Sequence, residues 1–500
     1  MAATIMGSYL VIIILIGIYA STRSKNVQEY LVAKRNLGAV MVMALLFGEM
    51  LSGAATVGNA TESFKVGLSA VWINWGMVLG LWLFALLRMG KFFRAFGNQR
   101  GGMSVPEAYK FLFDRRTSMA MMLILVIVYA IIYALQPLAL AGILGPMFGI
   151  DKTLMAIIAG GIMTLVAVTG GLTGMAWMNC VHATVMILAL FAVTWASVGH
   201  VGGLAVMKAS LPPTYFDFIQ PDWLTVIAWA FGTGISMLCA ATTAGAAFGA
   251  KSDSSVNKGM FFAGLLILGY PLMPALIGMA AKVSQPEMAP AIALFGMANS
   301  ISPLMGGLAS MAVVAAILST GPALLLIVGT VLARDFYKGL LKPEATDREQ
   351  LIFSRVMVGL VGILGTYFGL QATSILHSVL GAFQIRAFAG VVLAVALFWP
   401  RVTKEAAFWS LCVGGALAGI WHFAGNPYSV QPLWPSLGVG LTILCGMTLL
   451  SKEPVSPGFR RYREVLREDD ARGIEMARKQ FSAERINRLT SAGEKNTAAF

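Results

Sequence analysis

Long apolar segments alternate with short polar connections over most of the chain, and thirteen of these segments are long enough to cross a bilayer as helices. They lie at about 4–21, 38–63, 67–87, 119–146, 153–170, 176–198, 224–247, 258–281, 304–332, 353–371, 375–399, 406–424 and 433–450. The pattern predicts an all-α integral membrane protein that crosses the bilayer about thirteen times.

Composition supports this prediction and divides the chain in two. The 500 residues are 58% hydrophobic and only 12% charged. After Leu450 the sequence changes abruptly to a charged stretch, so we expect a transmembrane domain over 1–450 and a cytoplasmic tail over 451–500. The tail has no catalytic signature. We expect it to be a solvated surface or an anchor to anionic lipid, with a regulatory module as the alternative.

The distribution of basic residues predicts the orientation. With the N-terminus outside, 31 of the 36 Lys and Arg residues fall in cytoplasmic segments. Four lie outside, namely Lys65, Lys152, Lys208 and Lys282, and Arg386 belongs to neither surface. Such asymmetry is the positive-inside signal, so we predict a multi-pass protein of the cell inner (cytoplasmic) membrane with its C-terminus in the cytoplasm.

Charge and cysteine content exclude several classes of protein. The net charge of +13 does not indicate a nucleic-acid partner, because no soluble basic domain carries it. Cys180, Cys239, Cys412 and Cys445 lie in apolar runs without metal-binding or redox spacing, and we interpret them as packing residues. The first apolar run lacks a basic start and a clear cleavage site, so it is predicted to be a retained span. The loop from His200 to Asp222 is predicted to be an ordered external cap.

The stretch from Leu46 to Gly67, LFGEMLSGAATVGNATESFKVG, places polar groups and glycines at membrane depth. A carboxylate such as Glu49 costs roughly 2.5 to 3.5 kcal/mol there on insertion scales. Broken helices are tolerated in bilayers where their carbonyls line a cavity or bind an ion. Gly48, Ser52 and Gly53 are also typical of a tight helix crossing, but a packing motif does not need Glu49.

Two adjacent hydroxyls, Ser319 and Thr320, lie in the segment AAILSTGPALLLIVGTVLARDFYK. Hard cations bind several oxygens at once. Together with the carbonyls of a broken helix, these hydroxyls would complete a Na⁺ site. The alternative is that each hydroxyl donates to the carbonyl of its preceding turn, as is common in membrane helices.

The chain resembles members of the sodium:solute symporter family over roughly residues 5–450. The resemblance rests on AAILSTGPALLLIVGTVLARDFYK, on TGGLTGMAWMNCVH from Thr169 to His182, and on FWPRVTKEAAFWSLCVGG from Phe398 to Gly415. It implies the LeuT-type inverted repeat of five plus five helices, with an extra first helix at 4–21, a core over about 38–399 and two further helices over 406–450. It also implies Na⁺ as the coupling ion, bound by Gly48, Leu51, Ala316, Ser319 and Thr320.

Two departures from the family pattern bear on the number of ions. Many relatives have Trp-Thr-Asp where this chain has Trp177, Met178 and Asn179, and a further Ser where it has Ala323. Those residues are associated with a second sodium site in some relatives. Their absence predicts one coupled Na⁺.

Further polar positions are candidates for the solute site. Tyr129, Tyr133 and Gln136 share one helix face, although aromatic packing explains the tyrosines equally well. The glycine-rich stretch Phe231–Ser236, which includes Thr233, is the expected broken partner of the first stretch across the repeat. His182 could relay a proton or be a satisfied buried polar residue.

Arg386 is a further candidate, and its predicted depth in the membrane makes its role readily testable. It lies thirteen residues before Trp399, so it stands roughly 20 Å above the cytoplasmic end of its helix. A guanidinium at that depth must face a cavity or a partner, and its planar fork fits a carboxylate. It would bind an acidic solute or pair with Glu49. The predicted solute-binding residues are Glu49, Ser52, Tyr133, Gln136, Thr233 and Arg386.

The sequence therefore predicts a sodium-coupled symporter that imports a small organic solute, with an organic acid favoured, by alternating access. The alternatives are an uncoupled facilitator or channel and a transporter-like membrane sensor, for which a tail of about fifty residues is too short an output domain. An enzyme is not predicted, because no recognised catalytic motif occurs.

Overall fold

The computed structural model describes residues 6–13, 15, 32–371, 375–452, 454–472, 474 and 475. These residues form helices joined by short connections and contain no β-strand. The helices are α1 (Ala39–Met50), α2 (Gly53–Val66), α3 (Trp72–Leu86), α4 (Met89–Arg100), α5 (Val105–Leu112), α6 (Arg115–Phe148), α7 (Lys152–His200), α8 (Leu204–Ser210), α9 (Trp223–Met237), α10 (Ala241–Gly249), α11 (Asp253–Gly269), α12 (Leu272–Ser284), α13 (Ala293–Ile301), α14 (Pro303–Val331), α15 (Asp347–Gly369), α16 (Ile375–Phe398), α17 (Lys404–Phe423) and α18 (Leu433–Leu450).

The number of spans differs from the prediction. Eleven stretches of the described chain are long and apolar enough to cross a membrane. The predicted segments 38–63 and 67–87 do not appear as two spans, because α1 is short and α2 continues through residues 67–71 into α3. Hydropathy cannot detect such a redistribution, since it does not register a backbone break. The predicted first segment, 4–21, lies mostly outside the described residues.

A break between α1 and α2 confirms the expected discontinuous helix. α1 ends at Met50, and Ser52 adopts an extended conformation with φ −65° and ψ 168°. The Ser52 hydroxyl accepts a hydrogen bond from the Ala55 amide at 3.2 Å and so caps α2. The turn therefore leaves the carbonyls at the end of α1 without their usual helical donors.

A second break lies between α9 and α10, at residues 238–240, so the expected position at Phe231–Ser236 is wrong. Those residues belong to the continuous part of α9, and their glycines allow close packing instead. A Cβ atom placed on Gly80 of α3 would lie 2.2 Å from the Gly234 carbonyl oxygen. Small residues that let two backbones approach are typical of membrane helix crossings.

Helix α7 contains a change of direction that the sequence predicted as a gap between two segments. Gly171 has φ +58°, a conformation that residues with a side chain rarely adopt. The helix divides there into the spans Lys152–Thr169 and Gly171–His200, which correspond to the predicted segments 153–170 and 176–198.

Helix α14 forms the centre of the bundle, and it has the largest buried share of any described span. It packs against α6, α7, α15 and both halves of the first broken helix. A helix that is apolar all round suits such a position. Its Ser319 and Thr320 are therefore held next to the break between α1 and α2.

The loop between α8 and α9 is ordered, as the sequence predicted. The Tyr215 hydroxyl donates to the Phe64 carbonyl at 3.1 Å, and the Trp72 indole donates to the Phe218 carbonyl at 2.9 Å. These contacts attach the loop to the ends of α2 and α3.

The described part of the tail packs against the protein, which differs from the expected solvated or lipid-bound segment. Residues 457–472 form a helix beside α4. Arg94 of α4 pairs with both Asp253 and Asp469, and Arg100 lies 3.0 Å from Glu468. Tyr462 is buried and packs edge-on against Phe92. Residues 476–500 of the predicted tail lie outside the described residues.

Removal of this docked helix should destabilise the protein. Truncation after residue 456 would expose the apolar surface of α4 that Tyr462 and Val465 cover, and each such side chain contributes roughly 1.5–3 kcal/mol when buried. We expect the midpoint of thermal unfolding to fall by several degrees. Truncation after residue 475 is the control, because it keeps every described contact. Equal midpoints for the two truncations would contradict the prediction.

Candidate functional site

Backbone carbonyls of α1 and hydroxyls of α14 converge at the first helix break. The Ser319 hydroxyl lies 2.5 Å from the Gly48 carbonyl oxygen and 2.9 Å from that of Ala316. The Thr320 hydroxyl lies 3.3 Å from the carbonyl oxygens of both Gly48 and Glu49, and 3.0 Å from that of Ala316. We call the carbonyls of Gly48, Glu49 and Ala316 and these two hydroxyls the oxygen cluster.

The oxygen cluster has more acceptors than donors. Two hydroxyls supply only two protons, whereas each carbonyl has two lone pairs. Because a hydroxyl can rotate its lone pair toward a cation, five oxygens can face one small ion. Both hydroxyls also reach the Ala316 carbonyl in their own helix, so the alternative of bonding to the preceding turn is present in the same geometry.

Four of the five predicted sodium ligands belong to this cluster. Leu51 does not, because the described hydrogen bonds of the two hydroxyls end on Gly48, Glu49 and Ala316. Leu51 lies at the C-cap of α1, and its amide donates to the Phe47 carbonyl at 3.2 Å.

Gly48 packs closely against a side chain of α7. A Cβ atom there would lie 2.8 Å from Cγ of Asn179. The Asn179 amide nitrogen has no hydrogen-bond partner among the described residues. The residue that departs from the family pattern therefore packs directly beside the oxygen cluster.

A central cavity adjoins the oxygen cluster and shares Glu49 and Thr320 with it. The space between its lining residues is about 380 Å³, its opening included. Its walls come from both broken helices and from α3, α6, α14 and α16. The lining residues are Glu49, Met50, Ser52, Met77, Tyr129, Ile132, Met237, Thr242, Thr320, Leu324, Phe383 and Arg386.

Arg386 is 1% exposed and lies in the wall of this cavity. Its Nε donates to the Ser236 hydroxyl at 2.8 Å, and its Nη1 donates to the Tyr129 hydroxyl at 2.7 Å. The same Tyr129 oxygen accepts from the Ala241 amide at 2.8 Å, at the start of α10. The guanidinium is thus attached to the second helix break, and no described residue accepts from Nη2.

Glu49 lies in the same cavity without pairing with Arg386. The described residues contain no ion pair between them within 4.0 Å. One carboxylate oxygen of Glu49, Oε1, is buried and has no hydrogen-bond partner there. Two opposite charges therefore face one cavity while remaining separate.

The other predicted solute residues are distributed more widely. Ser52 lines the cavity while capping α2. Tyr133 lies against α15, with its hydroxyl 3.4 Å from Thr366 Oγ1. Gln136 donates to the Ile132 carbonyl of its own helix, and Thr233 donates likewise to Trp229. Neither these two residues nor Tyr133 belongs to the described cavity lining.

His182 has a partner that explains its burial. Its Nδ1 lies 2.5 Å from the Tyr9 hydroxyl, which is on the short described helical segment 6–13. This contact favours the interpretation as a satisfied polar residue, since buried polar groups are normally hydrogen-bonded.

A polar network beside the start of α5 was not predicted from the sequence. Arg334 pairs with Glu107 at 2.8 Å, and the Ser104 hydroxyl donates to Asp335 at 3.0 Å. Ser104 and Glu107 form a capping box at the start of α5. The spacing of Ser and Glu is readable from sequence. Their pairing with residues more than 200 positions later is not.

The family model of the sodium:solute symporter family matches residues 30–414. The chain therefore belongs to this family of transporters. It is 24% identical to the high-affinity proline transporter PutP of Bacillus subtilis, with 91% of this chain and 99% of the relative aligned. It is 23% identical to the sodium/proline symporter of Escherichia coli, over 91% and 94% of the two chains. A sodium/glucose cotransporter of Vibrio parahaemolyticus is 22% identical, over 97% and 94%.

Solved structures support the same fold. The chain is similar to the substrate-bound, outward-open state of a Na⁺-coupled sialic acid symporter, with a TM-score of 0.77 and 16% identity over 90% of this chain and 96% of the other. It is also similar to Mhp1, a nucleobase-cation-symport-1 family transporter, with a TM-score of 0.60 and 16% identity over 88% and 99%. The protein thus has the LeuT-type fold, and it is a multi-pass inner-membrane symporter of a small solute with Na⁺ as coupling ion.

Proposed function

We propose that the protein imports a small carboxylate-bearing solute together with one Na⁺. Gly48, Leu51, Ala316, Ser319 and Thr320 bind the ion. In the described conformation the Glu49 carbonyl stands with four of them in the oxygen cluster. Since Glu49 and Thr320 also line the central cavity, the ion and the solute would act on the same two helices. Shared walls of this kind give each ligand a way to alter the affinity for the other.

One observation carries the proposed solute class: the Arg386 guanidinium is buried in the cavity wall without an acidic partner within 4.0 Å among the described residues. Ser236 and Tyr129 hold Nε and Nη1, which leaves Nη2 for a ligand. Charge-assisted hydrogen bonds to a carboxylate are stronger than neutral ones. Proline, named for the Bacillus and Escherichia relatives, has such a carboxylate.

The proposed direction of transport follows from the basic residues. The N-terminus is outside, and α4, α5 and the tail helix face the cytoplasm, where most Lys and Arg residues lie. Residues 1–450 form the transporter domain and 451–500 the tail. Na⁺ binding favours the outward-open arrangement, and binding of ion plus solute permits closure, so that the sodium gradient drives uptake.

Uptake into proteoliposomes tests coupling and stoichiometry together. We expect an inward Na⁺ gradient to drive accumulation of an anionic or zwitterionic solute with an ion-to-solute ratio of one, because Asn179 and Ala323 replace the residues linked to a second site. A K⁺ gradient of equal size and liposomes without protein are the controls. Equilibration without Na⁺ dependence would indicate a facilitator instead, and a ratio of two would require a further sodium site.

A further inference from the structure

The Glu49 side chain in the central cavity has no direct counter-charge. It is 7% exposed, and its Oε1 atom has no hydrogen-bond partner among the described residues. Burying an ionised carboxylate is very unfavourable unless a counter-charge or hydrogen bonds compensate it. A site that keeps such a group beside a ligand cavity is suited to a ligand that brings the compensation.

Arg386 does not provide this compensation by direct contact. Its guanidinium is directed to Ser236 and Tyr129, and the Tyr129 oxygen is in turn fixed by the Ala241 amide. The rings of Tyr129 and Phe383 lie 5.2 Å and 5.5 Å from the guanidinium carbon. These contacts hold the cation in place on α16, apart from the anion on α1.

Apolar side chains line the cavity that holds these two charges. Met77, Ile132, Met237 and Leu324 contribute hydrocarbon surface to its wall, together with Phe383. The same cavity therefore offers an anion, a cation and an apolar lining. A solute with a compact hydrocarbon body and both charges would match all three features.

We propose that Glu49 binds the ammonium group of a zwitterionic solute, so that the substrate is an apolar amino or imino acid. This inference rests on the proposed function, in which Arg386 binds the carboxylate, and adds a second recognition group to it. A zwitterion forms two ion pairs and leaves neither buried charge uncompensated. A simple organic acid would satisfy Arg386 and leave the Glu49 carboxylate alone in a cavity of low polarity.

Matched pairs of solutes test this assignment on the full-length protein. The probes are L-proline with tetrahydrofuran-2-carboxylate, L-alanine with propanoate, and L-valine with 3-methylbutanoate, in which the carboxylate is kept while the ammonium group is removed. Binding is measured by thermal shift in saturating Na⁺ and by Na⁺-driven uptake. We expect one or more amino acids to bind at least about tenfold more tightly than their partners, as the loss of a charge-assisted hydrogen bond predicts.

The Glu49→Gln variant keeps the size of the side chain and removes its charge. It should weaken amino-acid binding at least about tenfold while leaving the desamino partner unchanged or tighter, which removes the preference. Glu62→Gln is the matched control, because Glu62 lies on α2 and pairs with Lys65 outside the central cavity. It should retain the wild-type preference. A Na⁺-dependent thermal shift in Glu49→Gln shows that the variant is folded.

The other possible results distinguish failure of the ammonium site at Glu49 from failure of the proposed function. Equal binding of both members of every pair, unaltered by Glu49→Gln, would overturn the ammonium site while the carboxylate site stands. Na⁺-dependent binding of neutral sugars with no binding of any carboxylate would overturn the proposed function as well. An ion-to-solute ratio of two that falls to one in Glu49→Gln would show that Glu49 binds a second Na⁺, which also overturns the assignment.

Discussion

Replacing Ser319 and Thr320 together by alanine should raise the Na⁺ concentration needed for half-maximal transport at least about tenfold, which corresponds to a loss of about 1.4 kcal/mol in binding free energy. The variant loses two of the oxygens that surround the proposed ion, whereas the carbonyls of Gly48 and Ala316 remain. Both positions are deep in α14, where alanine is well tolerated. The measurement is the Na⁺ dependence of uptake at fixed solute.

A control in the same helix distinguishes ion binding from simple loss of a hydroxyl. Thr330 donates only to the Leu326 carbonyl of its own turn, at 2.7 Å. Thr330→Ala should leave the Na⁺ dependence unchanged. If the double variant is expressed and transports with the wild-type Na⁺ dependence, the two hydroxyls serve only as hydrogen-bond donors to α1 and α14, and the proposed ion site is wrong.

The position of the first helix break was predictable, because residues that are energetically unfavourable in a membrane helix lie together in the sequence. Gly48, Glu49, Ser52 and Gly53 place breakers and polar groups at membrane depth, and a helix break was the natural prediction. The predicted position of the second break was wrong for a related reason. Gly232 and Gly234 weaken a helix in the same way, but here they permit close packing, of Gly234 against α3 and Gly232 against Gln384. Sequence alone does not distinguish a glycine that breaks a helix from one that lets another helix approach.

Residues on one face of α6 contact different helices at different depths, which explains why only part of the predicted solute-binding face lines the cavity. Tyr129 and Tyr133 lie on one face of α6, but four residues separate them by about 6 Å along the helix axis. Tyr129 meets Arg386, whereas Tyr133 meets α15. Periodicity predicts which residues share a face and does not predict which helix covers each turn. The packing of the tail helix against α4 could not be predicted from the sequence for the same reason. Its ion pairs join positions more than 350 residues apart.

Arg386→Lys should reduce solute affinity about ten- to a hundredfold and alter Na⁺ affinity much less. Hydrogen bonds to charged groups contribute about 1.5–3 kcal/mol each, and a single ammonium cannot reproduce the planar fork that contacts Ser236, Tyr129 and a ligand at once. The measurement compares thermal shifts with solute at saturating Na⁺ against those with Na⁺ alone. Tyr129→Phe should show a smaller loss of solute affinity, because it removes one group that positions Arg386 and keeps the guanidinium.

A purely structural role for Arg386 predicts a different pattern. If it existed to pair with Glu49, Glu49→Gln and Arg386→Gln would each be unstable and the double variant more stable than either. Because the two side chains form no ion pair within 4.0 Å among the described residues, we expect no such rescue of the thermal midpoint. Solute binding should be lost in Arg386→Gln and in the double variant alike. Normal transport by Arg386→Gln, or a transported solute without an anionic group, would exclude Arg386 as the carboxylate-binding residue.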